Sequence, residues 1–181
     1  MKLFSSVFTL MFFTTSTLFA QSEIKETFPI DDDSGHVKFQ EVVNMAGVNQ
    51  AELFKRANTW FKDFYKNPGS VIQTKNADKG LIIGKKKFDL FREIDGKRTH
   101  VGFVNYEITI GAKEGRYRYT VNELYFIDSP RNYIENWYEG TPEEMVWQTK
   151  YLEQVKEYVD TLVASVKEGM AKAEVVETDD W

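Results

Sequence analysis

The chain has 181 residues, with 23 basic and 28 acidic side chains, a formal net charge of -5, two histidines and no cysteine. This length and apolar content predict one soluble domain with its own hydrophobic core. The absence of cysteine excludes disulfides, thiol nucleophiles, thiolate metal sites and an acylated lipoprotein anchor, and two histidines cannot form a three-histidine metal site. We therefore predict no metal centre and no cofactor. The acidic balance also argues against a nucleic-acid partner.

The first 20 residues are typical of a secretory signal peptide. Lys2 precedes an uncharged stretch rich in Phe, Leu, Ser and Thr that ends at Ala20. A small residue before the cut is typical of such signals, so we predict cleavage after Ala20 and a mature chain that starts at Gln21. The Ser and Thr side chains disfavour the alternative of a membrane-spanning helix. The sequence thus predicts an exported protein, periplasmic or secreted, that is neither a lipoprotein nor, after cleavage, an integral membrane protein.

Residues 21–35 are polar and include Pro29 and three consecutive aspartates, which predicts a flexible leader that ends in a turn. The domain itself is predicted at residues 36–172. It begins with a strand signal over residues 37–43, where apolar and polar side chains alternate imperfectly. A helix should follow Asn49, because this side chain can accept a hydrogen bond from a free backbone N–H of the first turn. The helix would bury a stripe formed by Leu53, Ala57, Trp60, Phe61 and Phe64.

Four strand signals come next, separated by turn residues, at 71–75, 81–91, 99–110 and 117–125. Asp95 and Gly96 predict a hairpin turn between the second and third of these. An even number of loop residues must join the last two strands, because only then do their apolar side chains share a face. The same register places Glu123 on the apolar face, where an unpaired carboxylate would be costly.

The clearest helix signal covers residues 141–169, where Thr141, Pro142 and Glu144 form a typical helix start. Residues 173–181 form an acidic tail. Strands joined by short turns predict an antiparallel sheet, with both amphipathic helices packed on one of its faces. The predicted fold class is therefore α+β, with about five strands in the order β-α-β-β-β-β-α.

Several segments resemble one family of exported bacterial proteins, found mostly in Bacteroidetes and known as domain of unknown function 4468, with a TBP-like fold. The likeness is carried by FPID at Phe28–Asp31, AELFKRANTWF at Ala51–Phe61, VIQ at Val71–Gln73, GLIIGKKKF at Gly80–Phe88 and GRYRYTVNELYF at Gly115–Phe126. The resemblance implies helices packed on a curved antiparallel sheet, as in one repeat of the TATA-binding protein. It implies no activity, and a shared fold does not by itself imply DNA binding.

The loop after the last strand carries the candidate binding residues Tyr133, Trp137 and Tyr138. Clustered aromatic side chains can form a protein hot spot or stack on a glycan. The alternative interpretation is that these rings close one end of the core. Lys85, Lys86 and Lys87 are a second cluster, which either protects a strand edge from aggregation or attracts an anionic partner.

Two functions remain open at this level. The favoured hypothesis is a non-catalytic envelope protein that binds a protein, a peptide or a glycan through this loop or an exposed sheet face. The alternative is a small hydrolase or lyase built on carboxylates such as Glu107 and Glu123. The first is favoured because no His, Ser, Asp and Glu residues recur at a spacing typical of a catalytic site, so no catalytic residue is predicted.

Overall fold

The computed structural model of this chain describes residues 23–127 and 130–172. The predicted signal peptide, its cleavage site and the acidic tail lie outside these residues. The helices and strands are β1 (Phe39–Asn44), α1 (Gln50–Phe64), β2 (Ile72–Asn76), β3 (Leu81–Ile94), β4 (Lys97–Lys113), β5 (Arg116–Phe126), β6 (Asn132–Tyr133) and α2 (Pro142–Ala171), with single 3-10 turns at Pro68–Ser70 and Ile134–Tyr138. Within the described ranges, no helix is long and apolar enough to cross a membrane.

The strands form one antiparallel sheet in the order β1-β5-β4-β3-β2, and the two-residue strand β6 pairs with the end of β5. Both helices pack on the same face of this sheet. Phe61 of α1 contacts Gly84, and Tyr158 of α2 stacks on Phe88, which has the same parity on β3 as Gly84. The predicted α+β class and element order are confirmed. Strand β6 was not predicted, because two residues are too few to show an alternating pattern.

Both predicted turns have the expected geometry. Asp95 and Gly96 adopt positive φ values of 51° and 71°, which is the backbone of a two-residue type I′ hairpin. Between β4 and β5, Lys113 pairs with Arg116, so the loop has two residues and Ile110 lies opposite Tyr119. The even loop keeps the apolar side chains of both strands on the helix-covered face, as predicted.

The core lies between this face and the helices. Asn49 caps α1 by accepting a hydrogen bond from the backbone N–H of Glu52 at 2.8 Å, and the predicted stripe of α1 faces the sheet. Phe61 is fully buried against Gly84, where an added Cβ would lie 2.6 Å from the ring. The glycine inside β3 is therefore needed for α1 to approach the sheet.

Helix α2 begins with the predicted capping box, in which Thr141 and Glu144 each bond to the backbone of the other. It crosses the sheet and ends beside α1. At that end Gly169 contacts the ring of Trp60, and Arg56 donates to the carbonyl of Met170 at 3.1 Å. The buried side chains of α2 include Leu152, Val155, Val159, Leu162 and Val166.

The flexible leader predicted at residues 21–35 requires a correction for its described part. Residues 23–26 form a helical turn, and Phe28 is buried between Phe39 and Tyr138. The backbone N–H of Lys38 donates to the carbonyl of Pro29 at 2.9 Å. This segment is ordered because the large ring of Phe28 is removed from water. A single buried ring in a polar stretch does not change the composition enough to predict this order.

Candidate functional site

The two faces of the sheet are unequal. The helices cover one face, and no described element packs across the other, which we call the outer face. Its side chains alternate along each strand with the buried ones. By the register of the ladders it comprises Gln40, Val42 and Asn44 of β1, Leu81, Ile83, Lys85, Lys87 and Asp89 of β3, Phe103 to Lys113 of β4 at every second position, and Arg116, Arg118, Thr120 and Asn122 of β5.

Charge on the outer face is opposite to that of the whole chain. The register assigns to it the five cations Lys85, Lys87, Lys113, Arg116 and Arg118, against the two carboxylates Asp89 and Glu107. Both carboxylates already have a side-chain partner. Glu107 lies 3.2 Å from the ammonium of Lys85, and Asp89 lies 3.1 Å from the ring of His100. The surplus positive charge is therefore not balanced on this face, although the chain carries a net charge of -5.

Three of these cations, Lys113, Arg116 and Arg118, meet Lys79 of the β2–β3 turn in a groove of about 390 Å³ at the turn end of the outer face. We call this the basic groove. Its lining includes Val42, Lys79, Leu81, Lys113, Arg116 and Arg118, and no carboxylate. Among the described residues, no carboxylate lies within 4.0 Å of any of its four cations. Arg116 and Arg118 reach it because they have the parity opposite to that of the buried Tyr117 and Tyr119.

Aromatic and charged side chains form a network at the opposite end of the outer face. The ring of His36 stacks on Tyr133 at 3.9 Å, and its Nδ1 contacts the Glu135 carboxylate. The Tyr133 hydroxyl donates to Glu123 at 3.1 Å, and the Arg131 guanidinium lies 4.8 Å from the ring centre of Tyr125. Tyr133, the first of the predicted binding residues, is therefore a half-exposed part of this network.

Trp137 and Tyr138, the other two predicted binding residues, point inward. Trp137 is only 5% exposed and packs edge-on against Phe126 and Tyr151. Tyr138 is half-buried against Phe28, and burial raises the pKa of its hydroxyl above the ordinary value. The burial of Trp137 agrees with the alternative interpretation, in which the aromatic rings of the loop close one end of the core. Trp137 is also among the residues that line a groove of about 560 Å³ at the start of α2.

The predicted position of Glu123 on the apolar face is wrong, because β5 contains a bulge there. The pairing shifts between Asn105 and Glu107, and Glu123 has a φ of 54°. The extra residue moves Leu124 into the core and turns the carboxylate toward Tyr133 and Arg131. The prediction counted alternate residues from the turn, and such counting does not reveal a bulge. The predicted β4–β5 register is therefore correct from Arg116 to Asn122 and wrong beyond Asn122.

Three further grooves are lined by residues of the helices, one of them between α1 and α2. One, of about 240 Å³, adjoins Trp60 and Gly169, and the other two, of about 360 and 560 Å³, adjoin Trp147 at the start of α2. Neither Glu107 nor Glu123 lines these grooves or the basic groove. The two carboxylates of the hydrolase hypothesis are instead engaged with Lys85 and Tyr133, and the structure does not bring them together in a cleft.

Comparison with known proteins identifies the fold. A crystal structure of a DUF4468 family protein from Bacteroides ovatus aligns with a TM-score of 0.65 at 17% identity, over 82% of this chain and 92% of that one. A TBP-like protein from Parabacteroides distasonis aligns with a TM-score of 0.63 at 19% identity, over 81% and 98% of the two chains. No curated protein matches the sequence. The family model described as domain of unknown function (DUF4468) with TBP-like fold matches residues 39–126, the stretch from β1 to β5.

Proposed function

We propose that this protein is an exported, non-catalytic binding module whose outer face binds an anionic partner. One observation carries the proposal. The basic groove places Lys79, Lys113, Arg116 and Arg118 together, with no carboxylate in its lining, on an acidic protein. Unpaired cations on an open face attract and orient an oppositely charged partner.

The location of the groove supports a protein surface as the occupant. It is open to solvent on a sheet face, and its walls include the apolar side chains of Val42 and Leu81. Val42 is 52% exposed, which is unusual for an apolar side chain beside a cluster of charges. Mixed apolar and cationic surfaces of this kind fit a partner that brings both carboxylates and apolar groups.

Affinity capture from envelope extract tests the proposal. We expect the double variant Arg116→Gln, Arg118→Gln to lose partners that the parent chain recovers. The matched control is Lys62→Gln, Lys66→Gln, which removes the same charge from exposed positions at the end of α1 and should recover them all. Identical recovery by the parent and the outer-face variant would contradict the proposal.

Export is tested separately by the N-terminus of the protein in its own cell. We expect protein from the envelope fraction to start at Gln21, because Ala20 is the predicted last residue of the signal peptide. Recovery of the chain with residues 1–20 still attached would contradict cleavage, and recovery from the cytoplasm alone would contradict export.

A further inference from the structure

The edge strand β1 has backbone groups without a partner. The N–H of Lys38 points away from β5, since it donates to the Pro29 carbonyl at 2.9 Å, whereas the N–H of Met45 points inward and donates to Gly115 at 2.8 Å. The register between β1 and β5 has no shift, so inward and outward residues alternate without interruption. Gln40, Val42 and Asn44 therefore direct their N–H and C=O groups outward, where no described residue bonds to them.

The opposite edge of the sheet is blocked, which makes the open edge of β1 notable. The short strand β2 pairs with β3 up to Gly84, the N–H of Lys85 donates to the carbonyl of Val71 at 2.9 Å, and Lys87 lies at the next outward position. At Phe91 the side chain of Gln154 occupies the place of a neighbouring strand, accepting from the N–H at 3.0 Å and donating to the C=O at 2.9 Å. Charged side chains and capping groups are devices that prevent edge pairing.

The open part of β1 has one such device, the charged side chain of Glu41, and it lies on the helix-covered face beside Lys167. Its outward positions hold Gln40, Val42 and Asn44, with no lysine, no proline and no bulge. Only the residues before it, up to Lys38, are covered by the segment at Pro29 and Ile30. An edge strand whose outward positions are uncharged, and which no described residue covers, can accept another strand.

The basic groove lies beside this edge and defines the side chains that an added strand would need. Val42 belongs to both, and Arg116 and Arg118 are the next outer-face side chains across β5. Strands lie roughly 4.8 Å apart, so a strand added to β1 would run about 10 Å from β5. Arginine and glutamate side chains together span that distance, and two arginines at alternate positions match carboxylates at alternate positions.

The other face of the edge favours uncharged residues. Glu41 points toward the helices, accepts from the Tyr119 hydroxyl at 2.7 Å and contacts the Lys167 ammonium at 2.6 Å. Bonding to Lys167 lowers the pKa of this carboxyl. A further acidic side chain on that face would meet a carboxylate whose cation is already engaged.

We propose that β1 binds an extended segment of a partner protein by strand addition, and that this segment alternates acidic residues over the basic groove with uncharged residues on the opposite face. This inference rests on the proposed function and specifies the partner: a protein, recognised through its main chain and its alternating carboxylates.

The probe is a fluorescent, acetylated peptide of alternating Thr and Glu, about eight residues long, measured by anisotropy. We expect saturable binding by the parent chain, which weakens as salt is raised because the contacts are between exposed charges. We expect a loss of about tenfold or more in the variant Arg116→Gln, Arg118→Gln, and little change in Lys62→Gln, Lys66→Gln. The same peptide with Lys in place of Glu should not bind.

Two modified peptides separate strand addition from simple attraction between charges. In an antiparallel pair, the residues facing Gln40, Val42 and Asn44 share their face and direct their N–H groups to β1. N-methylation of the Glu residues should therefore abolish binding, whereas N-methylation of the Thr residues should leave it nearly unchanged. Equal binding of both methylated peptides, or equal binding of an oligothymidine of the same charge, would overturn the inference in favour of a general anion-binding face.

The protein-side variant is Val42→Pro. Proline removes an N–H that takes no part in the β1–β5 ladder, and edge strands tolerate it at such positions. We expect peptide binding to be lost while thermal unfolding stays close to that of the parent. If this variant fails to fold, the methylated peptides still decide. Loss of captured partners in the arginine variant together with no peptide binding would overturn strand addition and leave the proposed function standing.

Discussion

At the scale of single residues, three tyrosines connect the sheet to both helices. The hydroxyl of Tyr106 on β4 lies 2.9 Å from that of Tyr65 after α1 and 2.9 Å from that of Tyr158 on α2. Burial raises the pKa of all three phenols, and it raises the pKa of Tyr117 on β5 to about 12. The folded protein therefore holds these groups protonated at pH values where they would ionise in the unfolded chain.

This burial predicts loss of stability at alkaline pH. An unfolded tyrosine has a pKa near 10. Since the folded values are higher, the stabilisation is complete below pH 10 and is lost progressively as the pH rises above it. We expect tyrosinate absorbance and loss of far-ultraviolet circular dichroism to rise in one step above that pH. Smooth ionisation of these tyrosines in a chain that remains folded would contradict their burial.

The bulge at Glu123 gives a second prediction at the residue scale. A side chain at a φ of 54° is strained relative to glycine by roughly 1 kcal/mol. Glu123→Ala and Glu123→Gly both lose the bonds to Tyr133 and Arg131, but only glycine relieves the backbone.

We therefore expect the glycine variant to be more stable than the alanine variant by about 1 kcal/mol in urea unfolding, the reverse of the order inside a regular strand. An alanine variant at least as stable would place Glu123 in ordinary strand geometry.

At the scale of elements, the crossing of α1 and α2 depends on Gly169. A Cβ added there would lie 2.7 Å from the ring of Trp60. Alanine favours helix over glycine by about 1 kcal/mol, yet overpacking costs about 1–3 kcal/mol. We expect Gly169→Ala to destabilise the protein by about 1 kcal/mol, measured by chemical unfolding.

The control for this substitution is Ala164→Gly, at an exposed position of the same helix. It should also destabilise, by roughly the propensity difference alone. Glycine to alanine at position 169 and alanine to glycine at position 164 would then both lower the free energy of unfolding. A Gly169→Ala variant more stable than the parent would show that the helices are not in close contact at Trp60.

A second prediction at this scale concerns the blocked edge of β3. Gln154→Ala removes both bonds to Phe91 and exposes one N–H and one C=O on the free side of the strand. We expect faster aggregation during refolding, measured by light scattering, because unpaired edge groups pair with other chains. Gln148→Ala, also on α2, serves as the control and should not change the rate. Equal rates would show that the lysines protect this edge without Gln154.

Helices, turns and strand registers were predictable from sequence where nearby residues determine them. Asn49, Thr141 and the Asp95–Gly96 turn each determine the backbone around them, and the alternating side chains of β4 and β5 fix their register. The packing of Phe28 and the bulge at Glu123 depend on contacts with distant residues, so local patterns do not reveal them. Arg116 and Arg118 are visible in the sequence, but their convergence with Lys79 requires the sheet.

At the scale of the whole molecule, charge and burial are segregated. The helices and the core remove one face of the sheet from water, and on the other face of this acidic chain the cations outnumber the carboxylates. The aromatic loop that stood out in the sequence instead contributes Trp137 to the core. Composition gives only the net charge of the chain. The sign of the charge on one sheet face depends on the order and register of the strands.

The pairing of β1 has a consequence for folding. Within the described residues its one ladder joins Phe39 to Val121 across most of the domain, whereas β3, β4 and β5 pair through short hairpins. Contacts so distant along the chain form late, after the hairpins have reduced the loop that must close. We therefore expect β1 to join the sheet after these hairpins, and its amides should exchange with solvent ahead of those of β4. A partner strand bound along the edge of β1 would slow that exchange and stabilise the pairing of β1 with β5.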